Sequence, residues 1–332
     1  MNVQHVPFVR VAIPAMTLVW QLAAPVSGLA QAWLPAKGEG SISIIFQDEA
    51  VRRHTFQNGE RLDRGHIQSE TMLVDATYGL TDKLTVSVTL PYVASKYTGD
   101  FPHLSPFQAT IDTGAYHSTL QDFRFDVRYN VFKGPVVITP FIGTIVPSHD
   151  YVSFGHSAVG RDLREVQIGA YVARHFDAVL PGVFVQGRYS YGFTERALDI
   201  SHNRSNMDLE VGYFVRPSFR VFGLAVGQVT HGGLDFPTNF RDIATPEQWF
   251  HHDQIGRDNR LNLGAGAALS LSESLDLFGS AIHTMAARNN HAIEYGLTLG
   301  VTYSFTKGAE TILRNSSGQK HLVRCLCEKN AS

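Results

Sequence analysis

The sequence predicts an all-β fold: a transmembrane antiparallel β-barrel of about 12 strands, with long extracellular loops and short periplasmic turns. Three observations predict it. The first is a two-residue rhythm, clearest in YGLTLGVTYSF at 295–305, where Tyr295, Leu297, Leu299, Val301, Tyr303 and Phe305 share one face. Gly296, Thr298, Gly300, Thr302 and Ser304 share the other, so the strand is apolar outside and small or polar inside. Tyrosines at both ends of the apolar face suit the two headgroup girdles of a membrane strand. The second observation is that the connections sort by length. The third is composition: 29 glycines, 11% aromatic and 17% charged residues, with mean hydropathy near zero.

Residues 1–32 read as an export signal, with Arg10 supplying positive charge, an apolar stretch over 11–24 and small residues at Gly28-Leu29-Ala30 or Ala30-Gln31-Ala32. The apolar run contains Pro14 and falls short of the roughly 20 residues that a spanning helix needs. A mature chain starting near Gln31 or Trp33 would place the barrel over 33–305. Residues 306–332 are polar, lack alternation and read as a disordered extension.

Twelve alternating stretches follow the signal: 40–56, 65–78, 83–97, 119–132, 136–146, 164–176, 183–196, 204–214, 219–231, 258–270, 275–288 and 293–305. An even number suits a single-chain bacterial barrel. The connections at 79–82, 133–135, 177–182, 215–218 and 271–274 are short, whereas 98–118, 148–163 and 232–257 are long; 57–64 and 197–203 are intermediate, and 289–292 is short. With both strand ends in the periplasm, every turn in the first group lies there and every long loop outside. A β-sandwich has no reason to sort its loops in this way.

Faces are clearest at Leu84, Val86, Val88 and Leu90 against Thr85, Ser87 and Thr89, and at Leu261, Leu263, Ala265, Ala267 and Leu269 against Asn262, Gly264 and Gly266. Stretches 136–146, 219–229 and 275–285 are apolar on both faces, which leaves their register open and allows a locally apolar lumen.

YGLTDKLTVSVTLPYV at 78–93 forms a hairpin in which Gly79 supplies a turn with positive φ and Thr81-Asp82 cap it. This hairpin, together with LQDFRFDVRYNVF at 120–132, resembles a family of Gram-negative outer-membrane proteins grouped with the meta-cleavage pathway of phenol degradation, a transporter family. Gln121-Asp122 stands where that family has Gly-Asp, and PSHDY at 147–151 departs from its Pro-Thr-Gly strand end. The resemblance implies a barrel over about 38–305 and hydrophobic or aromatic solutes.

Alternation turns Arg124, Asp126, Arg128, Gln186, Arg188, Arg204, Asp208, Glu210, Arg260 and Glu294 into the lumen. Arginine facing lipid at the bilayer midplane costs about 2–4 kcal/mol, so the lumen placement is energetically compelled. Mixed signs on neighbouring strands brace a narrow barrel by pairing, while arginine rows alone would select polar or anionic solutes. Loop histidines His103, His117, His149, His156, His202, His231, His251 and His252 show no HxH or HExxH spacing and read as solvated; no metal site and no cofactor is expected. Cys325 and Cys327 provide no disulfide framework for the barrel.

An outward-facing lipid hydrolase would need His and Ser two residues apart on one strand, and His202 and Ser205 are three apart. No enzyme is therefore expected. A net charge of -2 excludes a nucleic-acid partner. The partners expected are outer-membrane lipids, the outer-membrane insertion machinery and a small-molecule solute. The sequence thus predicts an outer-membrane channel or passive transporter for small solutes. The alternative is a non-conducting structural or recognition barrel acting through its outer loops, where Phe236, Phe240, Trp249 and Phe250 suit a lid or partner contact.

Overall fold

The computed structural model describes residues 32–99 and 111–306. The export signal up to residue 31, His103, and the extension with Cys325 and Cys327 lie outside the described residues.

Twelve antiparallel staves close into a ring. They are β1 (Glu39–Thr55), β2 (Arg61–Gly79) and β3 (Leu84–Thr98); then one stave in three collinear pieces, β4 (His117–Leu120), β5 (Phe123–Tyr129) and β6 (Phe132–Lys133). They continue with β7 (Val137–Val146), β8 (Glu165–His175), β9 (Val183–Thr194), β10 (His202–Arg216) and β11 (Phe219–Gly232). Three short helices, α1 (Phe240–Ile243), α2 (Pro246–Phe250) and α3 (His252–Ile255), precede β12 (Asn259–Ser270), β13 (Leu275–Arg288) and β14 (Asn290–Thr306). Each stave pairs with its neighbours in sequence, and β14 pairs with β1 along Gly40↔Phe305 to Thr55↔Asn290, which removes the free edge. No described helix is long and apolar enough to cross a membrane.

The rhythm sets the two faces. Outward residues include Ile44 and Leu299, 58% and 63% exposed, and every stave contributes at least one exposed large apolar side chain. A continuous apolar belt of this kind is stable only with lipid as its solvent. Inward residues are mostly buried, so the lumen is narrow and lined by packed side chains.

Register in the doubly apolar staves is decided by a Phe-Gly pairing that alternation alone does not reveal. Phe141, Phe184, Phe222 and Phe278 point inward, and each stands in register opposite a glycine of the next stave: Gly169, Gly212, Gly266 and Gly300. A Cβ on any of these glycines would run into the facing ring, so each ring lies flat along the wall over a gap left for it.

The hairpin glycine works differently from expectation. Gly79 does not adopt positive φ; its hydrogen side lies against the backbone of Pro35 and Ala36, which a Cβ would strike. Thr81 caps the turn, its Oγ1 accepting from the Leu84 amide at 2.9 Å, whereas Asp82 Oδ1 accepts from the Lys37 amide outside the hairpin at 3.0 Å. The fourth stave is not continuous, because Gln121 and Asp122 interrupt its ladder and bond instead to the β7–β8 connection.

Candidate functional site

The candidate site is the lumen and its outer mouth. Arg124, Asp126, Arg128, Gln186, Arg188, Arg204, Asp208, Glu210 and Arg260 point inward, in phase with their buried neighbours. Glu294 does not, which corrects its placement in the lumen. A bulge between Ala50 and Val51 lets Ala50 face Tyr295 and Val51 face Ile293, skipping Glu294 and breaking the alternation. Glu294 therefore lies on the outer surface, ion-paired with Arg52, and both are more than 40% exposed.

Most of the inward charges gather on one arc, with Arg260 on β12 and Glu49 on β1 outside it. Arg204 and Glu165 pair at 3.3 Å with both side chains 2% exposed, and Glu165 also accepts from Gln167 at 2.6 Å and Thr194 at 3.0 Å. Arg188 pairs with Asp208 at 3.3 Å and donates to Gln167 at 2.7 Å. Arg128 makes a two-pronged contact with Asp126, at 2.6 and 2.9 Å, and lies 5.0 Å over the Tyr171 ring. Gln186 donates to Glu210 at 2.9 Å. The staves β5 and β8 to β10 carry all of these groups. An apolar cluster of Ile45, Leu73, Phe222, Leu224, Phe278 and Ile282 lies inward on β1, β2, β11 and β13, interspersed with the buried Glu49, Gln228 and Arg260.

Sequence reasoning missed Arg161, Glu165 and Asp258. Glu165 and Gln167 alternate with Val166 and Ile168, a signal present in the chain. Arg161 belongs to the β7–β8 connection, where no periodicity points to it. Its side chain is buried at 3% exposure, and among the described residues Nε, Nη1 and Nη2 have no hydrogen-bond partner. Burial, and then the nearby Arg204, lower its proton affinity, while Asp258 and Glu165 oppose this. A guanidinium stays charged. An unsolvated cation without a partner is costly, and an anion beside it offsets that cost.

Two connections fold over the outer mouth. The β11–β12 connection carries α1 to α3, and Gln254 of α3 donates to Ser153 at 3.1 Å and to the Arg161 carbonyl at 2.6 Å in the β7–β8 connection. Of its aromatics, Phe236, Phe240 and Phe250 are buried and pack the mouth, while Trp249 is half-buried. Thr245 and Gln248 form a reciprocal cap on α2. Asp112 holds the β7–β8 connection, accepting from the amides of His156 at 2.9 Å and Ser157 at 3.0 Å.

The loop histidines are not uniformly solvated, which corrects that reading: His156, His202 and His252 are buried. His156 meets His54 of β1 and His291 of β14, two residues that strand reading left out of the loop set. Ser205 Oγ stands 2.8 Å from His231 Nε2, on the lipid side of β10 and β11. The partner comes from the neighbouring strand, so spacing along one strand does not find it. Tyr189 also contacts the hydroxyl at 3.1 Å, and among the described residues no acid orients His231, so no activated nucleophile is built.

No protein-family model matches the chain, and no curated protein matches it either. Among solved structures it is similar to an outer membrane channel from Pseudomonas putida F1, with a TM-score of 0.64 at 14% identity over 84% of this chain and 99% of that one. It is also similar to the translocator domain of autotransporter NalP from Neisseria meningitidis, at 16% identity, TM-score 0.46, over 82% of this chain and 90% of that one. The β domain of a Bordetella autotransporter gives 14% identity and TM-score 0.45, over 81% and 100%. The first likeness carries the fold: a closed transmembrane antiparallel β-barrel.

Proposed function

We propose that this barrel is an outer-membrane channel for small solutes that combine an aromatic or other apolar body with an anionic head. The observation that supports the reading is an apolar lumen cluster that coexists with a concentration of charged groups on β5 and β8 to β10, with Arg161 buried in the β7–β8 connection. An apolar body finds the cluster of Phe222, Leu224, Phe278 and Ile282, and its acidic group finds a guanidinium that no described side chain satisfies. The reading reconciles two expectations that conflict in sequence, the aromatic solutes implied by the family resemblance and the anionic solutes implied by the arginines. The paired charges below Arg161 keep the net field small, so the channel filters by width and by local contact more than by long-range attraction.

The folded mouth favours one other reading, a recognition barrel that does not conduct. Purified full-length protein in planar bilayers separates the two. A channel gives stepwise currents that benzoate reduces at millimolar levels, and proteoliposomes take up benzoate faster than benzyl alcohol of similar size. Arg161→Gln weakens the benzoate effect by about tenfold, the loss expected for one charge-assisted contact. An electrically silent protein whose proteoliposomes take up benzoate no faster than empty vesicles would remove the channel reading.

A further inference from the structure

The outer mouth brings three histidine ring nitrogens together. His54 Nε2 lies 2.9 Å from His156 Nε2 and 2.8 Å from His291 Nε2. A neutral imidazole nitrogen carries either one hydrogen or one in-plane lone pair. With a hydrogen it serves one of its two neighbours; with a lone pair it receives both into a single site. Protonating the rings puts positive charges within 3 Å of one another in a buried place. Three imidazole nitrogens turned toward a common point instead form the donor set of a borderline metal ion.

We propose that His54, His156 and His291 bind one divalent first-row transition-metal ion of the zinc class at the outer mouth of the barrel. The three ligand atoms lie within 4.8 Å of one another, with His156 and His291 buried and His54 half-buried. A tetrahedral ion at about 2.0–2.1 Å from each nitrogen spaces the nitrogens about 3.3 Å apart. The inner two separations widen by about half an ångström and the third closes, a movement within the reach of side-chain rotation.

The remaining ring nitrogens of His156 and His291 lie near carboxylates. His156 Nδ1 is 3.7 Å from Asp112 Oδ2, and His291 Nδ1 is 3.7 Å from Asp253 Oδ1. Hydrogens on those Nδ1 atoms would leave the Nε2 lone pairs for the ion; 3.7 Å is longer than a hydrogen bond, and a shift of the rings onto the ion would bring the carboxylates into the orienting position found around protein zinc sites generally. Three protein ligands leave a fourth position for water or an exogenous donor.

The placement in the fold gives the ion a structural consequence. His54 ends β1 and His291 begins β14, adjacent staves at the barrel seam, whereas His156 comes from the β7–β8 connection nearly opposite on the ring. Asp253 belongs to α3 of the other mouth loop. One ion therefore ties the seam to a loop rooted across the mouth, with the second loop held through its carboxylate.

The test uses the full-length protein, folded in detergent, stripped with chelator and titrated with zinc chloride or cobalt chloride. The expected result is one equivalent of zinc bound per chain at micromolar Kd or tighter, and cobalt absorption bands of tetrahedral intensity that zinc abolishes. His54→Gln and His291→Gln each lose that equivalent, Asp253→Asn weakens it by about 10–100-fold, and His149→Gln, altered at an exposed loop histidine, keeps it. Circular dichroism and heat-modifiable gel mobility verify that the variants are folded. Wild-type protein that binds no zinc, or that gives octahedral cobalt spectra, overturns the proposal even if a variant fails to fold. Folded His54→Gln retaining the full equivalent overturns it as well. Metal binding is read without any flux measurement, so its failure and the failure of the channel reading are separate results.

Discussion

The ring of Phe278 lies flat against the inner wall over Gly300, its directly paired residue on β14, in the space a side chain there would occupy. The same relation recurs at three more places around the lumen, so glycine here serves the packing of aromatics and not flexibility. Gly300→Val displaces the ring and destabilises the barrel by about 1–3 kcal/mol. Gly223→Ala, where an added Cβ meets nothing within 4 Å, changes stability by less than about 0.5 kcal/mol. Urea unfolding of the detergent-folded barrel followed by tryptophan fluorescence compares the two, and equal losses would refute the account.

Arg204 and Glu165 are the most buried ion pair of the charged arc. Removing one partner strands the other in a place that excludes water. Glu165→Leu and Arg204→Leu are each expected to cost about 3–5 kcal/mol, and the double variant less than their sum. A double-mutant cycle showing strict additivity would mean that the two do not act as a pair.

Arg124 and Arg188 line the charged arc of the proposed path. Reversing either charge, Arg124→Glu or Arg188→Glu, replaces a cation with an anion where a solute must pass. Reversal potentials under a salt gradient should move toward cation preference, with single-channel current altered in both variants. Identical current and selectivity would place the path elsewhere.

Ser205 and His231 form a contact on the lipid side without a third group to orient the imidazole. Ser205→Ala should leave phospholipid release by the reconstituted protein at the level of protein-free vesicles, as in the wild type. A wild-type hydrolysis rate abolished by this change would establish an enzyme in place of a bystander pair.

Much of this molecule is legible in the chain. The twelve staves follow from alternation, because lipid on one face and a packed lumen on the other force a period of two. The inward set from Arg124 to Arg260 follows from the cost of charge in lipid. Glu294 escapes because one bulge near Val51 shifts the phase, and a bulge leaves no mark in local hydrophobicity. The doubly apolar staves conceal their register until Phe and Gly partners on neighbouring staves are known.

The sequence by itself determined location, strand number and the sorting of loops, since those depend on patterns within a few consecutive residues. Only the tertiary structure decided the site. His54, His156 and His291 are separated by 102 and 135 positions in the numbering and converge only when the ring closes and a loop folds across its mouth. Arg161 likewise becomes a buried cation only when two connections cover it, because burial belongs to the assembled fold and not to the residue.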